Sequence, residues 1–166
     1  MTEQASLFDR LGGLEALETF AQVVVKRAML DDTIGHIWDH LTEDVVQKEI
    51  SGFVDWLCEY WGGPRSYHGP DMATVHRGMG ITEEYWDALF VIIDECYVEF
   101  GLTPELIAEV DTFLRSFKPA IVGSPTFREV VQANPDMDVM KGMKSVGVHW
   151  PSAPSALSTR GAAGDE

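Results

Sequence analysis

The chain has 166 residues, enough for one domain with a sizeable apolar core and a ligand inside it. Lys and Arg number 12 against 27 Asp and Glu, a formal net charge of −15 that repels phosphate backbones and anionic headgroups and so sets nucleic acid and membrane surfaces aside as partners. The opening MTEQASLFDR has no basic leader before an apolar run, and no uninterrupted apolar stretch approaches a membrane span, so a cytoplasmic protein is expected.

Period-two alternation is nearly absent and most segments repeat at helical spacing, which predicts an all-α fold. A short first helix over EQASLFDRL ends at Gly12 and Gly13. A second runs from about Leu14 to Leu30 with Leu17, Phe20, Val24 and Ala28 on one stripe. DDTIGHIWDHL reads as a helical corner, after which Thr42 caps an amphipathic helix to about Trp61. GGPRSYHGP breaks that helix, a brief one carries His76, and Gly78 and Gly80 end it.

Thr82 caps the next helix, EEYWDALFVIIDECYVEF, with Glu83 and Glu84 at the positive end of its dipole. Gly101 stops it. TPELIAEVDTFLRSFKPAIV then reads as a single helix, with Thr103 as cap, Pro104 in the first turn, and Phe113 and Phe117 on the inner face. Residues 1–122 are taken as one domain. Residues 123–166 are rich in Pro, Ser, Gly and Ala and read as an appendage, with a short helix near TFREVVQAN and a tail from Pro151 that cannot form a core. A chain ending at Gly123 is therefore expected to keep its fold. Cys58 and Cys96 lie in apolar helical segments without ligand-like spacing and are expected to be buried free thiols.

The order of LFDRLGG, WGGPRSYHGPDMATVHRGMGIT and LIAEV resembles the truncated hemoglobins, and their first group in particular, over about residues 6 to 122. The middle run carries the resemblance: Gly62, Gly63, Pro64, Tyr67, Gly69, Met72, His76, Gly80, Ile81 and Thr82 match in spacing as well as type. It implies a 2-on-2 helical sandwich, heme b as cofactor, and His76 as the proximal ligand of the iron. The chemistry suits, because a neutral imidazole nitrogen is a good iron ligand and an apolar enclosure keeps heme and gas from water. The plain alternative is a histidine that only caps or packs.

Alignment with the same family puts Val25 where many relatives have a tyrosine that hydrogen-bonds oxygen. Phe53 falls where relatives often carry a glutamine or other polar group. Glu49, Phe53 and Trp56 share one side of their helix at i, i+4 and i+7. Trp38 stands where the family usually has a phenylalanine, and Leu89 where the second group has tryptophan. The expected pocket is thus bulky, apolar and poor in donors, with Met72 also among its heme-contacting residues and Glu49 turned to solvent because desolvating a carboxylate is costly. Tyr67, and less directly Arg77, are expected to meet the heme propionates. His36, His40, His68 and His149 are the further histidines able to ligate iron, and Gly52 occupies the helix position from which some relatives donate a distal histidine.

The function implied is reversible binding of a diatomic gas (oxygen, nitric oxide or carbon monoxide) for carriage, scavenging or sensing. Two other classes remain open: a heme enzyme, such as a nitric oxide dioxygenase or peroxidase with a reductase as partner, and a globin-fold interaction or signalling module. Enzymatic oxygen chemistry would gain from a polar distal group, which this inventory lacks.

Overall fold

The computed structural model describes residues 4–136; His149 and the tail from Pro151 lie outside them. α1 (Leu7–Arg10) opens on Ser6, whose hydroxyl accepts the Asp9 amide, and ends at the Gly12 turn that leads into α2 (Gly13–Leu30). α2 buries Leu17, Ala21, Val24 and Ala28 along one stripe. A 3-10 corner (Gly35–Trp38) follows, set by the Asp31 carboxylate, which accepts the Thr33 and Ile34 amides at 2.8 and 3.1 Å.

α3 (Glu43–Trp61) has the expected bounds, although Thr42 makes no side-chain capping bond; Glu43 and Asp44 in the first turn complement the dipole there instead. α4 (Met72–His76) is the brief helix that carries His76. α5 (Glu83–Glu99) is capped by Thr82, whose hydroxyl accepts the Tyr85 amide at 3.2 Å.

The run read as one helix from Thr103 divides. α6 (Pro104–Arg115) ends, and α7 (Lys118–Ile121) starts anew two residues later. Pro119 has no amide to give the Arg115 carbonyl and its ring crowds that oxygen, while the Ser116 hydroxyl donates to the Phe113 carbonyl at 2.5 Å. The apolar period continues across the break, which is why sequence alone joined the two. α8 (Phe127–Ala133) confirms the short helix near TFREVVQAN and opens on a capping box between Thr126 and Glu129.

α2, α3, α5 and α6 make the 2-on-2 sandwich. α2 packs on both α3 and α5; Phe20 of α2 stacks on Tyr97 of α5, with ring centres 6.2 Å apart. α3 meets α6 through Trp56 and Trp61 against Phe113, and Arg115 of α6 lies 4.2 Å over the Phe90 ring of α5. One apolar cluster joins these elements. Cys58 and Cys96 are buried free thiols within it, and burial pushes both thiols above their ordinary pKa. Among the described residues no helix is long and apolar enough to cross a membrane.

Two glycines of this framework are expected to respond oppositely to a methyl group. A Cβ at Gly63 would lie 2.7 Å from Phe8 and 2.8 Å from the Cys58 sulfur, both buried, whereas one at Gly52, inside α3, meets nothing within 4 Å. Gly63→Ala should cost about 2 kcal/mol through overpacking, and Gly52→Ala should gain about 0.5–1 kcal/mol through helix propensity. Urea unfolding midpoints of the two variants check the pair; shifts of the same sign would show that the local packing is misassigned.

Candidate heme pocket

The loop between α3 and α4 has almost no core of its own and is held by polar contacts. α3 closes with Gly62 at φ +83°, a left-handed cap that suits glycine, and the Gly63 amide donates to the Cys58 carbonyl at 2.8 Å. Arg65 then uses three sides of its guanidinium: Nη1 to Glu18 of α2 at 2.9 Å, Nε to Asp55 at 2.6 Å, and Nη2 to Ser51 at 2.7 Å. The loop is thereby tied to α2 and α3.

α4 starts where the Asp71 carboxylate accepts the Thr74 amide at 2.9 Å, a bond that holds this carboxyl below its usual pKa. Four residues on from Met72, the His76 ring places Nδ1 2.9 Å from the Met72 carbonyl oxygen. A carbonyl can only accept, so Nδ1 carries the proton and Nε2 keeps its lone pair. Burial lowers the imidazole pKa, and the Met72 carbonyl opposes this only in part. The ring is half-buried, neutral and oriented, with Nε2 as its lone-pair atom.

Val25 of α2, Trp38 of the 3-10 corner, Phe53 of α3, Met72 of α4 and Leu89 of α5 are all half-buried and packed against the one apolar cluster. Four helices and a corner therefore contribute, and each side chain keeps some accessible surface. Trp56 differs. It is buried, stacks on Phe53 at 6.3 Å, and is enclosed by Tyr60, Phe113 and Phe117 at 5.3, 5.2 and 4.9 Å. The stripe Glu49, Phe53, Trp56 thus runs inward from an exposed carboxylate to the core. Among the described residues no buried side chain is charged, and the polar atoms buried with the core include the Trp61 indole nitrogen and the Tyr97 hydroxyl.

Tyr67 is half-buried in the loop before α4. Its hydroxyl donates to the Pro70 carbonyl at 2.8 Å and so closes the loop; burial, with the Asp71 charge, raises its pKa. Arg77 is exposed just past α4. Of the other histidines, His36 is exposed and meets Tyr85 edge-on at 5.2 Å, His68 is exposed, and His40 is half-buried after the 3-10 corner. Residues absent from the sequence-derived set also touch this region: Gly123, Thr126 and Phe127 contact the loop that follows His76. The TFRE pattern signals a capped helix start but says nothing of where that helix docks.

These residues fit a heme. Among the described residues no three His, Cys, Asp or Glu side chains gather as a metal site, and His76 presents a neutral imidazole of the kind a porphyrin iron takes. Comparison with known proteins agrees. The model of the bacterial-like globin family matches residues 6–122. A group 1 truncated hemoglobin of Tetrahymena thermophila is 28% identical over 109 residues, covering 66% of this chain and 88% of that protein. Another, from Mycolicibacterium paratuberculosis, is 28% identical over 119 residues, 72% of this chain and 85% of its own length. The crystal structure of the truncated hemoglobin from Tetrahymena pyriformis in its Fe(III) form superposes with a TM-score of 0.65 at 22% identity, over 72% of this chain and all of that one. By sequence, the chain belongs to the bacterial-like globin family, with heme as its cofactor and the fold of the truncated hemoglobins.

Proposed function

We propose that this globin reversibly binds a diatomic gas (oxygen, nitric oxide or carbon monoxide) at an iron held by His76, in carriage, scavenging or sensing within the cytoplasm. When bound, the heme supplies an iron with one axial position for a protein ligand and one for the gas. The observation that carries the reading is the His76 ring itself: Nδ1 is engaged with Met72 at 2.9 Å, and Nε2 is neutral.

Burial does two things for such a ligand. It keeps the ring unprotonated, and it keeps water from competing for the iron. Met72, Leu89 and Trp38 supply hydrocarbon for the porphyrin faces, and Val25 with Phe53 forms the wall nearest the gas. Neither Val25 nor Phe53 has a proton to donate, so a ligand that develops negative charge gains nothing from them. This favours binding and release over the enzymatic reading with a reductase, for which a polar distal group would be useful.

Two variants test the assignment from opposite faces. His76→Ala should speed heme transfer to an excess of an apo-globin acceptor by about a hundredfold, equivalent to some 3 kcal/mol. An unchanged rate would move the ligand role elsewhere. Val25→Tyr should slow oxygen dissociation by up to roughly a hundredfold, since one added donor contributes about 1–3 kcal/mol to a charged acceptor, while carbon monoxide release changes far less. Stopped-flow measurement that finds oxygen release already slow in the unmodified protein, or insensitive to the tyrosine, would reject the donor-poor pocket.

A further inference from the structure

Residues beyond the family-matched stretch return to the loop that follows His76. The Gly123 amide donates to the Ile81 carbonyl at 2.9 Å, and the Phe127 amide donates to the Gly78 carbonyl at 2.6 Å. Between these two bonds Thr126 bridges to Gly78 and to Met79. The Thr126 methyl occupies the place a side chain at Gly80 would need, and Gly80 itself holds φ +64°. Met79 in turn donates its amide to the His76 carbonyl at 3.1 Å, and α7 packs on α4. The contact path from the C-terminal segment to the imidazole-bearing residue is short.

Core formation does not explain this arrangement, because no residue of α8 is buried. The Thr126 amide and hydroxyl are both engaged with Glu129 in the capping box, at 2.7 and 2.8 Å. That box fixes the start of α8 and leaves the Thr126 methyl and the Phe127 N–H facing the loop. The loop needs such support: Gly78 and Gly80 both hold positive φ, and α4 is too short to be stable by itself.

We propose that residues 123–127 form a strap that positions the His76 loop, so that the heme-binding unit extends past Val122 to the end of α8. This rests on His76 being the iron ligand. Thr126 and Phe127 are then positioning residues, acting through the Gly78–Ile81 backbone on the tilt and reach of the imidazole. Deleting the chain after Gly123 accordingly loosens the site, in contrast to the expectation that the helices before Gly123 suffice.

Phe127 allows a sharp experiment. It is the first residue of α8, where proline is tolerated, and Thr126 already has the extended backbone, φ −66° and ψ 155°, that a following proline requires. Phe127→Pro removes the N–H given to Gly78 and lets α8 form; Phe127→Ala loses the ring and keeps the N–H. In the full-length heme protein, Phe127→Pro should transfer heme to an apo-globin acceptor about five- to tenfold faster than Phe127→Ala, as loss of one hydrogen bond allows. It should also shift or broaden the ferrous iron–histidine stretching band in resonance Raman spectra, which Phe127→Ala leaves in place. Thr126→Ser, which keeps the capping box and loses only the methyl against Gly80, should move both readouts the same way by a smaller amount. Equal rates and bands across these variants and the unmodified protein, with the band absent in His76→Gly, overturn the strap alone. Persistence of the band in His76→Gly overturns the ligand assignment and the strap with it.

Discussion

The hydrogen bond from His76 Nδ1 to the Met72 carbonyl is the contact on which the proposed heme site depends, because it sets the tautomer and the plane of the ring at once. A typical hydrogen bond of this kind contributes only about 1 kcal/mol to stability. Its importance is geometric. Donor and acceptor sit at the two ends of a five-residue helix, so the bond exists only while that helix does, and a helix this short is not self-sustaining. Neighbouring groups therefore hold it in place. Asp71 caps the start, Arg65 ties the preceding loop to α2 and α3, and α7 covers one side.

Much of this proximal side was legible in the sequence because its determinants are local. The glycines at 62 and 63, the Asp71 cap and the histidine two residues before Gly78 act over spans of a few residues, and the family pattern is densest there. The distal side was legible only by resemblance, since Val25, Trp38, Phe53 and Leu89 come from different elements and no local rule brings them together. Helical spacing put Phe53 and Trp56 on one side but could not give depth; the aromatic wall of α6 and its following turn decides that Trp56 is core. The break at Ser116 was hidden because the apolar period runs through it, and the docking of Gly123 and Phe127 onto the His76 loop was hidden because it uses backbone atoms, which leave no mark in side-chain pattern.

The strong acidity of the chain bears on the site mainly through what it leaves alone. A neutral diatomic gas is neither steered nor repelled by a net charge of −15. The arginines Arg10, Arg27 and Arg115 bridge helices at the surface, to Glu109, Glu99 and Asp94, and Arg115 also meets Asp111 one turn back on its own helix; exposed pairs of this kind add little to stability. Arg65 is the exception in consequence, since its three contacts hold the loop that delivers α4.

The central claim is that His76, in the tautomer fixed by Met72, holds the iron. Proton NMR of the ferrous, ligand-free protein tests it most directly through the ring N–H of the iron-bound histidine, which is shifted far from the ordinary spectrum by the paramagnetic metal. The account predicts one such exchangeable resonance, slow to exchange with solvent because Nδ1–H is engaged with a carbonyl, and absent from His76→Gly. The same resonance persisting in His76→Gly would show that another histidine binds the iron and would contradict the account.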